Sequence, residues 1–354
     1  MIPTILNVAF PFAPVSADPV GGAEQILSRL DQALVARGWR SIVLACDGSR
    51  AAGELVTVPA ACGEIDALAR ARVHVRLRAT LDGLLRRERI DLVHLHGLDF
   101  DRYLPPLGVP SLVTLHLPLD GYAPAALAAE RPQTWLLPVS ADQARRAPAS
   151  ARLLDPIGLG VDTDAFPRLS KRGYALTLGR ICPEKGIDLA LDAAARADVP
   201  MLVAGAVFPY ADHKRYFERE LATRFDHRRR WIGPVAGARK RRLIAGARCL
   251  VVASLAPETA CLVAMEALAA GTPVVALANG ALPEVVEDGV TGFLVEDVEG
   301  MARAIRDASR LDPEACRAAA RRRFPLARMT DGYLDLYERL IAQTRRQRRH
   351  GARA

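Results

Sequence analysis

Short apolar runs alternate with longer stretches of helical periodicity along the whole chain, the pattern of a parallel sheet covered by helices on both faces. In the first half this predicts strands over residues 5–10, 41–46, 55–58, 91–96, 111–115 and 135–139. Between the first two, residues 23–37 place Ile26, Leu27, Leu30, Leu34 and Val35 at helical spacing, and Gly38 closes the helix. Around 166–172 the pattern lapses into Pro, Arg, Ser, Lys and Gly, the best candidate for a linker. A second set of strands follows at 175–178, 201–204, 231–232, 249–253, 274–276 and 293–295, and a last helix is predicted over about 326–344, after the broken stretch Arg323-Phe324-Pro325. The expected fold class is therefore α/β, with two Rossmann-like domains at 1–165 and 173–325. Ligands of such sheets bind at the C-terminal ends of the strands, so two domains facing one another would leave a cleft lined by those ends.

The densest chemistry lies in Pro257-Glu258-Thr259-Ala260-Cys261-Leu262-Val263-Ala264-Met265-Glu266, followed by Ala267-Leu268-Ala269-Ala270-Gly271-Thr272-Pro273. Thr259 is a plausible N-cap, residues 260–270 are good helix formers, Gly271 suits a left-handed cap and Pro273 stops continuation. Glu258 then sits just before a helix and Glu266 two turns within it, about 12 Å apart along the axis at about 1.5 Å per residue. Such a span suits the two ends of a nucleotide-sugar. The first N–H groups, those of Ala260, Cys261, Leu262 and Val263, would welcome a pyrophosphate between them. An ordinary buried helix with two incidental glutamates is the bland alternative, but Glu266 stands in an apolar run where an unpaired carboxylate is costly.

This segment resembles the signature of the retaining glycosyltransferases of family four, which have the two-domain GT-B fold and carry a Glu-x7-Glu pattern ahead of Ala-x-x-x-Gly-Thr-Pro-Val. Gly21-Gly22-Ala23-Glu24, Thr114-Leu115-His116, Gly160-Val161-Asp162 and Gly179-Arg180-Ile181-Cys182-Pro183-Glu184-Lys185-Gly186 match the same family in order and spacing. The resemblance implies that Arg180 and Lys185 hold the donor diphosphate, Glu266 accepts from the ribose hydroxyls, Glu258 orients the donor sugar, His116 lies close to that sugar, and the N–H groups of Gly21, Gly22, Leu262 and Val263 serve the phosphate. It also implies an acceptor-side first domain, a donor-side second domain, a closing helix of about 326–345 packed back on the first domain, retention of configuration and no metal or other cofactor. Two departures concern the donor: Ala260-Cys261 replaces the family's Phe-Gly, so a side chain stands where sugar or phosphate would pass, and Leu159 replaces an Asn.

Composition narrows the alternatives. The six cysteines (Cys46, Cys62, Cys182, Cys249, Cys261, Cys316) form no Cys-x-x-Cys pair and no His-associated cluster, arguing against a disulfide framework or structural zinc and for a reducing cytoplasm. Residues 1–17 are apolar, but no Lys or Arg precedes Ile5, and Pro3, Pro11 and Pro14 interrupt the run, so a first strand is expected rather than a signal peptide. No uncharged run is long enough to span a membrane. Asp99-Phe100-Asp101 and Asp162-Thr163-Asp164 mimic metal-binding triplets and are expected to be coincidental; His94 and His96 are read as satisfied strand histidines.

The net charge of +8 gathers in clusters, among them Arg70, Arg72, Arg76 and Arg78 and the tail at 345–349. Strict alternation over 70–78 reads literally as a strand with one basic face, while the longer stretch 64–89 has helical composition. Either form offers a surface for anionic lipid, peripheral to the inner face of a membrane. Aromatic residues make up only 5% of the chain and none interleaves with the basic runs, so no nucleic acid is expected. The expected partners are a nucleotide-sugar and a glycan, lipid-linked sugar or small-metabolite acceptor. Two alternatives stay open: a nucleotide-sugar epimerase of the same fold, and a basic non-catalytic glycan- or nucleic-acid-binding protein.

Overall fold

The computed structural model describes residues 2–17, 19, 21–61, 63, 65–128 and 131–351; Cys62 and Glu64 lie outside the described residues, as does the side chain of Arg349. The chain divides into two compact units, Met1–Ile157 with Met329–Ala354, and Gly158–Arg328.

In the first unit six strands, β1 Thr4–Val8, β2 Arg40–Cys46, β3 Glu54–Val58, β4 Leu92–Leu95, β5 Ser111–Leu115 and β6 Thr134–Pro138, form a sheet of order β3-β2-β1-β4-β5-β6. Every pairing is parallel, with Leu6 beside Ile42 and Val93, for example. Because both faces are covered, β1, β4 and β5 are buried at every position, which is why they read as continuous apolar runs. The helix Gly22–Ala36 turns Ile26, Leu27, Leu30 and Leu34 inward.

Residues 70–78 are helical, not extended: the helix Ala67–Arg87 buries Val73, Leu77, Leu81 and Leu84, and the Asp66 carboxylate accepts from the Ala69 N–H to cap it. Every second residue of a helix advances by about 200°. Arg70, Arg72, Arg76 and Arg78 are therefore all exposed but distributed around the solvent side rather than along one face. Alternation misleads here because the helix needs only four inward leucines and valines, and the arginine spacing between them carries no structural information.

The last helix, Leu326–Gly351, runs past the expected end. Within the first unit its Tyr337 hydroxyl meets His94 Nδ1 at 2.7 Å, its Tyr333 hydroxyl lies 3.2 Å from Thr114, and Arg345 pairs with Asp91 at 2.8 Å. Part of the basic tail is thus committed to structure.

The second unit repeats the architecture with β7 Ala175–Leu178, β8 Met201–Ala204, β9 Arg229–Trp231, β10 Cys249–Val252, β11 Val274–Leu277 and β12 Gly292–Val295, in the order β12-β11-β10-β7-β8-β9 and again all parallel. Traversed from the other edge this is the strand order of the first unit, the doubly wound Rossmann order. The divide at Ile157/Gly158 falls before the compositional lapse at 166–172. Gly160-Val161 is already tied to the second unit, where Val161 N–H donates to the Phe324 carbonyl at 2.9 Å, and Arg172 N–H donates to that of Gly246 at 2.7 Å.

Candidate active site

The strand order reverses between β7 and β10, and at such a switch point the chains leaving two adjacent strands diverge and open a crevice. The loop after β7 carries Arg180 and the short turn Pro183–Lys185 and ends at Gly186, whose φ of +55° and approach to the next strand both require glycine: a Cβ there would come 2.1 Å from the Ala253 carbonyl oxygen. The loop after β10 carries Ser254 and Glu258. Leu255 N–H, donating to the Glu184 carbonyl at 2.8 Å, joins the two loops.

Across that junction Lys185 Nζ donates to Glu258 Oε1 at 2.5 Å, and the Ser254 hydroxyl donates to the same oxygen. Burial alone would push the Glu258 carboxyl up, but Lys185, Ser254 and the nearby Arg180 charge hold it below the usual carboxylate range. Burial opposes the charge on Lys185 as well, and Glu258 overcomes it and raises the ammonium pKa. The crevice thus holds a locked ammonium–carboxylate pair with a second cation beside it.

Glu258 is fixed from behind. Gly280, at φ +63°, lies so close that a Cβ would come 2.3 Å from the Glu258 carbonyl oxygen, and Asn279 Nδ2 donates to the Leu255 carbonyl at 2.8 Å. Neither residue, nor Ser254, was singled out by the sequence; the Asn-Gly pair after an apolar run was the available signal.

The helix between the two glutamates begins later than its composition suggests. It spans Leu262–Ala269, and its N-cap is Cys261 in the left-handed region at φ +57°, not Thr259. A residue with a side chain adopts that conformation at roughly 1–2 kcal/mol, which explains why glycine is the expected residue there. Ala260 and Cys261 therefore precede the first turn, and the N–H groups of Leu262 and Val263 are the ones that lead it. Ala264 N–H donates to the Cys261 carbonyl at 3.0 Å. The Cys261 thiol is buried and pushed up by burial, hence unreactive.

Glu266, 5% exposed, is paired: Lys240 Nζ donates to its Oε1 at 2.8 Å. Lys240 comes from the helix Gly237–Gly246 and is itself buried. No feature of the sequence singled out Lys240; the demand of a buried carboxylate for a cation was the available signal.

In the first unit Gly21 is the N-cap and Gly22 the first residue of the helix after β1. His116 follows β5, its Nε2 3.0 Å from His96 Nδ1, and burial lowers its pKa to about 3, so the ring is neutral at physiological pH. His94 and His96 are buried, and desolvation lowers both; His94 Nε2 meets the Thr114 hydroxyl at 2.8 Å. Both Asp-x-Asp triplets are locally engaged. Asp99 binds His74 at 2.5 Å and the Tyr103 hydroxyl at 2.8 Å, and Asp162 accepts from the Asp164 N–H at 3.3 Å.

Each unit matches the model of a known family. Residues 162–323 match the model of the glycosyl transferases group 1, and residues 20–152 that of glycosyltransferase family 4. A D-inositol 3-phosphate glycosyltransferase of Saccharomonospora viridis is 31% identical over 351 residues, covering 80% of this chain and 79% of that protein. The chain belongs to the group 1 glycosyltransferases of family four. A Mycobacterium avium protein of the same description is 33% identical over 221 residues, the match spanning 55% of this chain and about half (51%) of that relative. Among solved structures, the sucrose-phosphate synthase of Thermosynechococcus elongatus superposes with a TM-score of 0.77 at 20% identity, covering 96% of this chain and 100% of that one. Anabaena HepE in complex with UDP-glucose gives 0.70 at 20%, covering 95% and 99%. Their likeness fixes the fold as GT-B. Among the described residues no helix is long and apolar enough to cross a membrane.

Proposed function

We propose that this glycosyltransferase moves a sugar from a nucleoside diphosphate sugar to a hydroxyl acceptor, with retention and without a metal. The observation that carries the reading is the Lys185–Glu258 contact at the switch point of the second unit, with Arg180 beside it. A departing diphosphate needs fixed cations and free N–H groups, and Arg180, Lys185, Leu262 and Val263 supply both. Glu258 orients the donor sugar through its hydroxyls and at the same time keeps Lys185 charged and aimed. Glu266, steadied by Lys240, accepts from the ribose. In the first unit by itself, the resemblance to the family gives His116 the part of a neutral hydrogen-bonding group and the N–H groups at Gly21 and Gly22 that of anion donors. Each donor aimed at the leaving oxygen is worth about 3–4 kcal/mol, or about 10² to 10³ in turnover.

The HepE complexes support UDP as the first nucleotide to test. The relatives' description supports a polyol phosphate among the acceptors, beside glycans and lipid-linked sugars. Exposed Arg72 and Arg76, with Leu68 and Val75 on the same outward side of their helix, support a peripheral hold on anionic membrane.

The test is a thermal-shift panel of UDP, GDP, ADP, CMP and dTDP. The true product at about 100 times its dissociation constant adds roughly 2.7 kcal/mol of stability. Silence from all five nucleotides would overturn the donor assignment.

A further inference from the structure

Two residues of the loop after β7 remain without a part in the chemistry above. Cys182 is fully buried, and Glu184, two positions on, is exposed. Next to β7 in the sheet is β8, and the short helix Ala211–Tyr216 that follows β8 brings His213 to the same place. The Cys182 sulfur, a Glu184 carboxylate oxygen and an imidazole nitrogen of His213 all lie within 4.8 Å of one another. His213 is only 5% exposed, and its Nδ1 is buried with no hydrogen-bond partner. An orphaned buried ring nitrogen costs free energy and calls for an explanation, and the packing of the ring against Tyr210 at 5.1 Å and Phe208 at 6.3 Å leaves it unexplained.

We infer that Cys182, Glu184 and His213 form a binding site for a borderline-soft divalent ion, zinc above all, separate from the glycosyl-transfer machinery. Thiolate, imidazole and carboxylate form the mixed S, N, O set that suits zinc and not magnesium, whose preference is for oxygen alone. Ligand atoms on a tetrahedral zinc stand about 3.3–3.8 Å apart, given bonds of roughly 2.0–2.3 Å. Closing the cluster therefore takes side-chain shifts of about 1 Å and no change of fold. Thiolate and carboxylate together neutralise the ion, with Asp212 adding to the attraction and Arg180 and Lys185 opposing it. Three protein ligands leave a fourth position for water. Cys182 and Glu184 both lie between Arg180 and Lys185 on one loop, so an occupied site would hold that loop in place.

Metal binding to the full chain, measured without donor or acceptor, tests this independently of the glycosyltransferase reading. After chelation and dialysis the protein should take up one zinc per chain. Its cobalt form should show a thiolate-to-metal charge-transfer band, and the cadmium NMR shift of the unaltered protein should report one sulfur ligand. Cys182→Ser should abolish the band. His213→Gln and Glu184→Gln should each weaken zinc binding by at least the 10–100-fold that outer-shell changes cost elsewhere, and Cys249→Ser and His116→Ala should leave it intact. Absence of uptake, a sulfur-free cadmium site, or a band that survives Cys182→Ser would overturn the inference.

Discussion

Replacing Lys185 by Met isolates the electrostatics of the crevice, because methionine keeps the length of the side chain and removes only the ammonium. In the folded protein the Glu258 carboxylate is 11% exposed and Lys185 31% exposed. Removing one partner of a buried pair costs about 3–5 kcal/mol. The Ser254 hydroxyl and the Arg180 charge remain, so we expect a cost below that range, about 2–3 kcal/mol, at pH 8. The pH dependence has a definite sign. In the native chain the Glu258 carboxyl is held below its unfolded value, which lies near 4.3; its contribution is present above about pH 4.3 and fades as pH falls through the depressed folded value. In Lys185→Met burial acts with weaker opposition and carries the folded value above the unfolded one. The penalty is then full above that raised value and fades as pH falls toward the unfolded one. The destabilisation should shrink to under about 1 kcal/mol near pH 4. Urea titration followed by Trp231 fluorescence measures it in a Trp39→Phe, Trp135→Phe background, since Trp231 belongs to the second unit and donates to the Gly205 carbonyl at 2.9 Å. A destabilisation independent of pH, or no recovery on adding Glu258→Gln to Lys185→Met, would refute the reasoning.

Glu258→Gln should lower turnover at least about a hundredfold in steady-state kinetics, since it loosens the group that aims Lys185 at developing charge. Glu266→Ala should chiefly weaken donor affinity, seen as a raised KM and nucleotide dissociation constant with a smaller change in kcat, and Lys240→Met should do the same through the carboxylate it holds. Adding Mg²⁺ after chelation should leave turnover unchanged, because Arg180, Lys185 and the leading N–H groups stand in place of a divalent ion on the diphosphate; a gain of activity on adding Mg²⁺ would contradict this. At low salt the protein should sediment with anionic and not with neutral vesicles, the binding falling as salt rises and vanishing when Arg70, Arg72, Arg76 and Arg78 are all changed to Gln.

The strand pattern was legible wherever burial on both faces writes itself as a run of apolar residues. The expected strands at 111–115, 175–178 and 201–204 coincide with β5, β7 and β8 residue for residue. Legibility failed where burial is slight: β9 is an edge strand with Arg229 and Arg230 in it and was expected two residues late. It failed again at Cys261, whose left-handed conformation delays the helix and cannot be read from a cysteine. The arginine alternation of 70–78 was a false period, set by what the solvent face tolerates.

From its sequence alone the chain determined its α/β class, its two sheets and the loops that carry Arg180, Lys185, Glu258 and Glu266, because each depends on periodicity and turn chemistry among near neighbours. Only the tertiary structure decided what those side chains meet. Lys185 and Glu258 are 73 positions apart and Lys240 and Glu266 are 26 apart; Cys182 comes from the loop after β7 and His213 from the short helix after β8. Such contacts follow from the order of strands in the sheet, which sets β10 and β8 on either side of β7 and so brings their C-terminal loops together. A sequence records which charges must be buried, but the partner of each is chosen by where the strands lie.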